Sequence, residues 1–143
     1  MKIQQISLFV ENKPGHIAAP ARLLAQNGID IRSLYLADTQ QFGIVRMIVS
    51  DWQKAAALLE AHGFVVKVTE VLAIQVPDHP GGLADVLGAL DGSGINIEYM
   101  YAFPYLCEGQ AILIFRFADP DAVIAHLQKA GVSVLAGDEL LKK

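Results

Sequence analysis

The hydrophobic positions of the chain follow two spacings, one of two residues and one of about 3.6 residues, which alternate from segment to segment. Residues 3–10 (IQQISLFV) and 70–76 (EVLAIQV) carry alternating and β-branched apolar residues, which is typical of strands. In residues 83–90, apolar side chains recur at i, i+3, i+4 and i+7 and so share one face of a helix. The pattern therefore predicts short strands that alternate with amphipathic helices.

This succession of patterns occurs twice along the chain. A shift of 66 residues superposes the Pro-Gly pair at 14–15 on the one at 80–81, and further along a shift of 68 residues superposes Asp51 on Asp119. The second copy therefore has two extra residues. We place them in its PYLCEG segment, predicted to be a hairpin connection, because exposed hairpins tolerate insertions.

Each copy is predicted to contain six elements in the order β-α-β-β-α-β. In the first copy the strands are 3–10, 29–37, 43–49 and 64–69, and the helices begin at Ile17 or Ala18 and at Trp52. In the second copy the strands are 70–76, 95–103, 111–117 and 132–136, with one helix that ends at Ser93-Gly94 and one over 120–130. Asp51 and Asp119 are predicted to cap the second helix of each copy.

This element order is that of the ferredoxin-like split βαβ, an α+β fold in which helices cover one face of a four-stranded antiparallel sheet. The two predicted domains are residues 1–69 and 70–143. Because no flexible linker separates them, we expect them to pack rigidly side by side.

Two short motifs stand at equivalent places in both copies. The first strand and the first helix are joined by NKPGHI at 12–17 and by DHPGGL at 78–83, and the second strand opens with Gly-Ile-Asp/Asn-Ile at 28–31 and 94–97. In this order, on a duplicated βαββαβ pattern, the motifs resemble the ACT domain, a regulatory amino-acid-binding module. The resemblance covers nearly the whole chain and implies two ACT domains that hold ligands where domains meet. No catalytic domain accompanies them, so the chain is most similar to stand-alone tandem ACT proteins.

A free amino acid presents a carboxylate and an ammonium group, so its site needs hydrogen-bond donors for one and acceptors for the other. Backbone N–H groups at the start of each first helix suit the carboxylate, and loop glycines leave them accessible. Asn and Asp side chains on the loop and at the start of the second strand suit the ammonium group. The predicted ligand-binding residues are Asn12, Lys13, Pro14, Gly15, His16, Ile17, Asp30, Ile31, Asp78, His79, Pro80, Gly81, Gly82, Leu83, Asn96 and Ile97.

The two loops differ in charge. The first carries Lys13 and His16 beside a neutral Asn12, whereas the second carries Asp78 and His79. We expect a ligand carboxylate more readily at the first loop and an ammonium group more readily near Asp78. The alternative interpretation is structural, since Pro-Gly forms tight turns, Asn and Asp cap helices, and loop histidines are commonly solvated.

Both faces of the central strands carry apolar residues. Ile48 and Ile114 lie on the face opposite the one that helices would cover. A second chain is the simplest cover for that face, so we expect a homodimer. Tyr99, Tyr101 and Phe103 share one face of their strand, either as an aromatic wall at a ligand or partner or as ordinary sheet packing.

Composition argues against several other classes of protein. The chain has 143 residues, is 53% hydrophobic and has a net charge of −4, so we expect it to fold and not to bind nucleic acid through a basic surface. No apolar run reaches the ~18 residues of a membrane span, no signal peptide is evident, and Cys107 is the single cysteine. We therefore expect a cytoplasmic protein with no membrane partner, no cofactor and no metal site. No nucleophile stands beside a base in a pattern that would indicate an enzyme.

Two functions of different classes remain. The first is a sensor that holds a free amino acid at its loops and domain interface and regulates a separate metabolic enzyme. The second is a ligand-free structural or protein-interaction module that assembles through its sheet. A rise in melting temperature with an amino acid would distinguish the first from the second.

Overall fold

The computed structural model describes residues 1–38 and 40–141, which form two compact units. The first unit is Gln4–Thr69, called the first domain below. The second unit, called the second domain, contains Met1–Ile3 together with the chain from Glu70 onward.

The elements give β-α-β-β-α-β in each domain, which confirms the predicted α+β, ferredoxin-like fold. In chain order they are β1 (Ile3–Glu11), α1 (Ala18–Gln26), β2 (Ile31–Asp38), β3 (Phe42–Val49), α2 (Trp52–Ala61), β4 (Val65–Val76), α3 (Gly82–Gly88), β5 (Tyr99–Cys107), β6 (Gln110–Arg116), α4 (Pro120–Lys129), β7 (Val134–Leu135) and α5 (Gly137–Leu141). The helix α5 was not predicted.

The first domain packs its helices on one face of an antiparallel sheet. Strand β3 pairs with both β1 and β2, with Ile6 opposite Met47 and Ile31 opposite Val49. Because side chains alternate along a strand, one face carries the apolar residues that meet the helices. That core consists of Ile6, Leu8, Val10, Leu24, Ile29, Val45, Met47, Val49, Ala55, Ala56 and Leu59.

The second domain repeats this arrangement with its own core. Strand β6 pairs antiparallel with β4 and β5, and β7 also pairs with β4. The helix-facing core consists of Leu72, Ile74, Val76, Val86, Phe115, Phe117, Val123, Leu127 and Val134. Each domain therefore buries its own helices against its own strands.

The predicted helix starts are confirmed at three places. Helix α1 begins at Ala18. The carboxylates of Asp51 and Asp119 accept the backbone N–H groups of Lys54 at 3.1 Å and Ala122 at 3.3 Å, so both residues cap the helix that follows them.

The second and third elements of the second copy differ from the prediction. The predicted helix end at Ser93-Gly94 is wrong, because α3 ends at Gly88 and the chain continues in turns through Ser93. The Ser93 hydroxyl accepts the Ile95 N–H at 3.1 Å, and residues 94–98 are not part of a strand. The strand predicted at 95–103 is therefore displaced to Tyr99–Cys107, and the turn of the PYLCEG segment is reduced to Glu108 and Gly109.

The strands predicted at 64–69 and 70–76 are one continuous strand, β4. The sequence between Val65 and Val76 contains neither Gly nor Pro and is rich in β-branched residues, so nothing in it interrupts an extended backbone.

Several apolar residues on the second face of the strands are buried. Ile48, Ile112 and Ile114 are at most 3% exposed in the single chain. Tyr101 and Phe103, predicted to share a face, are also buried. The homodimer stays a prediction, and the side chains that remain exposed are the place to test it.

Candidate functional site

The loop between β1 and α1 of the first domain is held by its own backbone hydrogen bonds. The N–H of Asn12 donates to Gln41 O at 2.9 Å, that of Lys13 to Glu11 O at 3.0 Å, and that of His16 to Lys13 O at 3.2 Å. The His16 ring also bonds to the Lys13 carbonyl oxygen through Nδ1. The loop therefore has a defined shape, which reduces the entropy lost when it orders around a ligand.

Beneath this loop is a cavity of about 340 Å³, the first loop pocket. It is lined by Phe9, Val10, Glu11, Lys13, Pro14, Gly15, His16, Ala19, Gly63, Phe64 and Val65. Four predicted site residues, Lys13 to His16, thus contribute to one cavity. Gly15 has a φ of +82°, a conformation that L side chains rarely adopt, and a Cβ built there would meet nothing within 4 Å.

The rim of the first loop pocket carries one acid and one base. Glu11 Oε2 and Lys13 Nζ are 3.4 Å apart, and both side chains are about two-thirds exposed. An exposed ion pair of this kind contributes no more than about 1 kcal/mol, so either partner is readily drawn to another charge.

The start of α1 is open to an anion. Within the described chain no side chain caps this helix, and its first turn contains no acidic residue. Pro20 has no N–H group and the N–H of Ala21 bonds to Ile17 O at 3.2 Å, so the donors that remain at the helix start are those of Ala18 and Ala19. Two donors at the positive end of a helix dipole suit a carboxylate.

The second domain builds the equivalent loop with equivalent hydrogen bonds. The N–H of His79 donates to Pro77 O at 3.0 Å and that of Gly82 to His79 O at 3.0 Å. Gly81 has a φ of +90°, positive like the +82° of Gly15 at the equivalent place. At Gly82, however, a Cβ would lie 2.0 Å from the Pro77 oxygen, whereas the equivalent His16 carries one. The second loop is therefore folded more closely against the end of its strand.

The second domain also has a cavity at this place, the second loop pocket, of about 500 Å³. It is lined by Gln75, Pro77, Asp85, Val86, Ala89, Glu108, Gln110, Ala130, Gly131, Val132 and Ser133. Residues 78–83 are all described, yet none of them lines it. The described lining holds two carboxylates, Asp85 and Glu108, and no lysine or arginine, so a carboxylate ligand would be repelled there.

The predicted residues at the start of the second strand do not join the loop of their own domain. Glu11, at the loop, pairs with Phe42, and Ile31 pairs with Val49. Phe42 and Val49 are the two ends of β3, about 23 Å apart at about 3.3 Å per residue. Asp30 instead accepts a hydrogen bond from the Arg32 guanidinium at 3.1 Å.

In the second domain, Asn96 lies at a third cavity of about 300 Å³. This cavity is lined by Gly94, Ile95, Asn96, Glu98, Phe117, Ala118, Asp119, Ala122 and Val123. In the first domain Ser50 and Lys54 replace Ala118 and Ala122, and the Lys54 ammonium donates to Asn27 O at 2.9 Å. At this end of the sheet the two domains therefore differ in the size of the side chains at these two positions.

The remaining predicted site residues either pack on a core or are exposed in the loops. Ile17 precedes α1 and packs on the first core, as Ile31 does, and Ile97 packs on the second core. The loop residues Asn12, Asp78, His79, Pro80 and Leu83 are exposed.

Sequence reasoning missed the apolar part of the first loop pocket, which is Phe9, Phe64 and Val65. Phe64 and Val65 follow α2, more than fifty residues from Phe9, so no local motif connects them. A comparison of the two copies would have indicated these residues, because Phe9, Phe64 and Val65 match the different residues Gln75, Val132 and Ser133. Where the two copies carry different residues at equivalent positions, the same backbone framework presents different surfaces.

Among residues 1–38 and 40–141, no group of three or more His, Cys, Asp or Glu side chains is placed to hold a metal ion. No helix in these same ranges combines the length and the apolar composition needed to span a membrane.

Comparison with known proteins identifies the family and the fold of the chain. The sequence model of the ACT domain pair family matches residues 1–142. A protein of known structure from Bacteroides thetaiotaomicron is 38% identical, with a TM-score of 0.91, over 100% of this chain and 98% of that one. A search of curated proteins found no match.

Two solved structures share the fold at lower identity. The regulatory subunit of aspartate kinase from Thermus thermophilus, in its ligand-free form, is 21% identical with a TM-score of 0.63, over 89% of this chain and 91% of that one. The corresponding subunit from Thermus flavus is 20% identical with a TM-score of 0.61, over 87% and 88%.

Proposed function

Because the chain belongs to the family of ACT domain pairs, a family of regulatory domains, we propose that it is a regulatory protein that binds a free amino acid in the first loop pocket. The observation that carries this proposal is the coincidence of three features at one cavity. These are a loop with a defined backbone, a helix start without a cap, and an exposed acid–base pair at the rim.

The Glu11–Lys13 pair is complementary to a zwitterion. A bound amino acid would place its ammonium group at Glu11 and its carboxylate at Lys13 and the N–H groups of Ala18 and Ala19. Each partner of the weak ion pair would thereby exchange one opposite charge for another, so little electrostatic energy is lost on binding. Gly15 leaves the approach to the helix start open.

The regulatory part of the proposal concerns a separate protein. The Thermus proteins of the same fold are regulatory subunits of aspartate kinase, which supports a role in which this chain acts on a metabolic enzyme. Ligand occupancy of the first loop pocket would then change the affinity for that enzyme, with equal and reciprocal coupling between the two sites.

A thermal-shift experiment with the twenty amino acids tests the proposal. A ligand at one hundred times its Kd stabilises the folded chain by about 2.7 kcal/mol, which raises the melting temperature by several degrees. We expect Lys13→Met and Glu11→Gln each to reduce this shift strongly. Lys67→Met, at an exposed lysine of the same domain outside the pocket, is the matched control and should leave it unchanged.

Two outcomes count against the proposal. A chain that responds to none of the twenty amino acids does not have the proposed function. A shift that survives Lys13→Met and Glu11→Gln shows that the ligand is bound elsewhere.

A second candidate function, assembly through the sheet, is favoured by two exposed leucines. Leu34 and Leu36 are 48% and 44% exposed on β2, which ends the strand order of the first domain. Such an edge can pair with a second copy of the chain and cover both leucines. If it does, Leu34→Gln with Leu36→Gln should convert a dimer into a monomer in light scattering, whereas a wild-type monomer would exclude this mode.

A further inference from the structure

The first loop pocket contains apolar side chains that folding leaves uncovered. Phe9 is 41% exposed and Val65 is 64% exposed, and both line the cavity together with the half-buried Phe64. Apolar surface held in water is unfavourable by roughly 25 cal/mol per Å² relative to buried surface. A ligand that covers these three side chains therefore gains free energy that the fold itself does not use.

The fold does not require apolar residues at positions 9 and 65. The second domain has the same strand and loop framework with Gln75 in place of Phe9 and Ser133 in place of Val65. Asp85 similarly replaces Ala19 at the start of the helix. Since the framework accepts polar side chains at all three positions, the apolar lining of the first pocket is explained better by what the pocket holds than by packing.

We propose that the first loop pocket selects free amino acids with large apolar side chains, aromatic or branched aliphatic, over small or charged ones. This inference rests on the proposed function and specifies its ligand class. The ligand's ammonium and carboxylate groups occupy Glu11 and Lys13, and its side chain lies against Phe9, Phe64 and Val65.

Size and charge both favour this class. A cavity of about 340 Å³ is near the lower end of small-molecule pockets, which suits a single amino acid. Once Glu11 and Lys13 hold the ligand's backbone charges, a charged ligand side chain would have to leave water for an apolar wall without a partner. A small side chain would leave that wall wet and gain little.

Isothermal titration with five probes tests the selection: L-phenylalanine, L-leucine, L-alanine, L-aspartate and L-lysine. We expect phenylalanine or leucine to bind at least about tenfold more tightly than the other three, since even one buried methylene group changes affinity by about tenfold or more. The double variant Phe9→Gln with Val65→Ser gives the first pocket the residues of the second. It should reduce the affinity for the apolar probes about tenfold or more and change that for alanine little.

The second domain provides a matched control. Gln75→Phe with Ser133→Val makes the reverse exchange in the second loop pocket and should leave the affinities of the first pocket unchanged. Thermal melts of each variant show whether it folds. If the double variant does not fold, Val65→Ser alone, at a side chain that is mostly exposed, should still weaken phenylalanine or leucine binding severalfold.

The outcomes separate this inference from the proposed function. Binding of aspartate, lysine or alanine as tight as that of phenylalanine and leucine overturns the inference and leaves the proposed function intact. Selective binding that is unaffected by Phe9→Gln and Val65→Ser also overturns it, because the selecting surface is then elsewhere. If no amino acid binds at all, both are wrong.

Discussion

The loop of the first domain and that of the second are closed by the same hydrogen bonds, Lys13 N–H to Glu11 O in one and His79 N–H to Pro77 O in the other, each at 3.0 Å. Their pockets nevertheless differ in chemistry. The first has an apolar wall and a balanced acid–base rim, whereas the second has amide, hydroxyl and carboxylate side chains. The fold thus determines where a pocket forms, and a few side chains outside the cores determine what it can hold.

The largest expected effect concerns the loop backbone. Gly82→Ala should lower the free energy of unfolding by about 2–3 kcal/mol, because its Cβ would lie 2.0 Å from the backbone oxygen of Pro77, which cannot move without the end of β4. Gly15→Ala is the comparison in the first domain, where the space is open and only the positive φ is unfavourable, by about 1–2 kcal/mol. Urea unfolding measures both. Equal losses would mean that the two loops are equally close to their strands.

The next largest effect is expected when one charge is exchanged between the pockets. Ala19→Asp gives α1 the carboxylate that the second domain has at Asp85. We expect this carboxylate to repel that of the ligand and to weaken amino-acid binding about tenfold, which corresponds to ~1.4 kcal/mol. The same charge at a helix start should stabilise the folded chain by about 0.3–1 kcal/mol.

Affinity and stability should therefore move in opposite directions in the Ala19→Asp variant, measured by titration and by urea unfolding. Asp85→Ala, the reciprocal change, should reduce stability slightly and leave binding unaltered. A gain in affinity with Ala19→Asp would place the carboxylate of the ligand away from α1.

A smaller effect, equal in the two domains, concerns the helix caps. Asp51→Ala and Asp119→Ala each remove a carboxylate that accepts one backbone N–H at the start of α2 or α4. Each should lower the free energy of unfolding by about 1 kcal/mol. Amino-acid affinity, measured by titration, should not change with Asp51→Ala, since this cap lies outside the first loop pocket. A strong loss of affinity with Asp51→Ala would show that this cap also affects ligand binding. The domains would then differ in more than the residues that line their pockets.

The smallest effect is that of the rim charge on stability. Lys13→Met removes an exposed ion pair and should change the free energy of unfolding by less than about 1 kcal/mol, even though it should remove most of the ligand response. Differential scanning calorimetry without ligand measures the first quantity. A large destabilisation would mean that Lys13 supports the loop, and the loss of binding would then not identify a ligand contact.

Much of the fold followed from local signals in the sequence. Asp51 and Asp119 precede helical spacing and cap it, and the positive φ values of Gly15 and Gly81 follow from Pro-Gly turns. The displaced start of strand β5 could not be predicted, because the turns through Ser93 and the bond from the Ile95 N–H to the Ser93 hydroxyl leave no mark in apolar spacing.

The candidate site was predicted less completely than the fold. The motif identified Lys13 to His16, which line the first loop pocket, because these residues are neighbours in the sequence and lie in one loop. Phe64 and Val65 reach the same cavity from beyond α2, a contact that only the tertiary fold creates. The close packing of the second loop against its strand could not be predicted either. No local sequence pattern shows that the Pro77 oxygen lies where a Cβ of residue 82 would be.

The most direct test of the account is an amide chemical-shift titration of the isotopically labelled chain with the amino acid that raises its melting temperature most. We predict that the amide resonances of Gly15, His16, Ala19 and Gly63 shift together with one affinity, while those of Gly81 and Gly131 stay in place. Shifts confined to Gly81 and Gly131, or none at any of these positions, would contradict the claim that the first loop pocket holds the ligand.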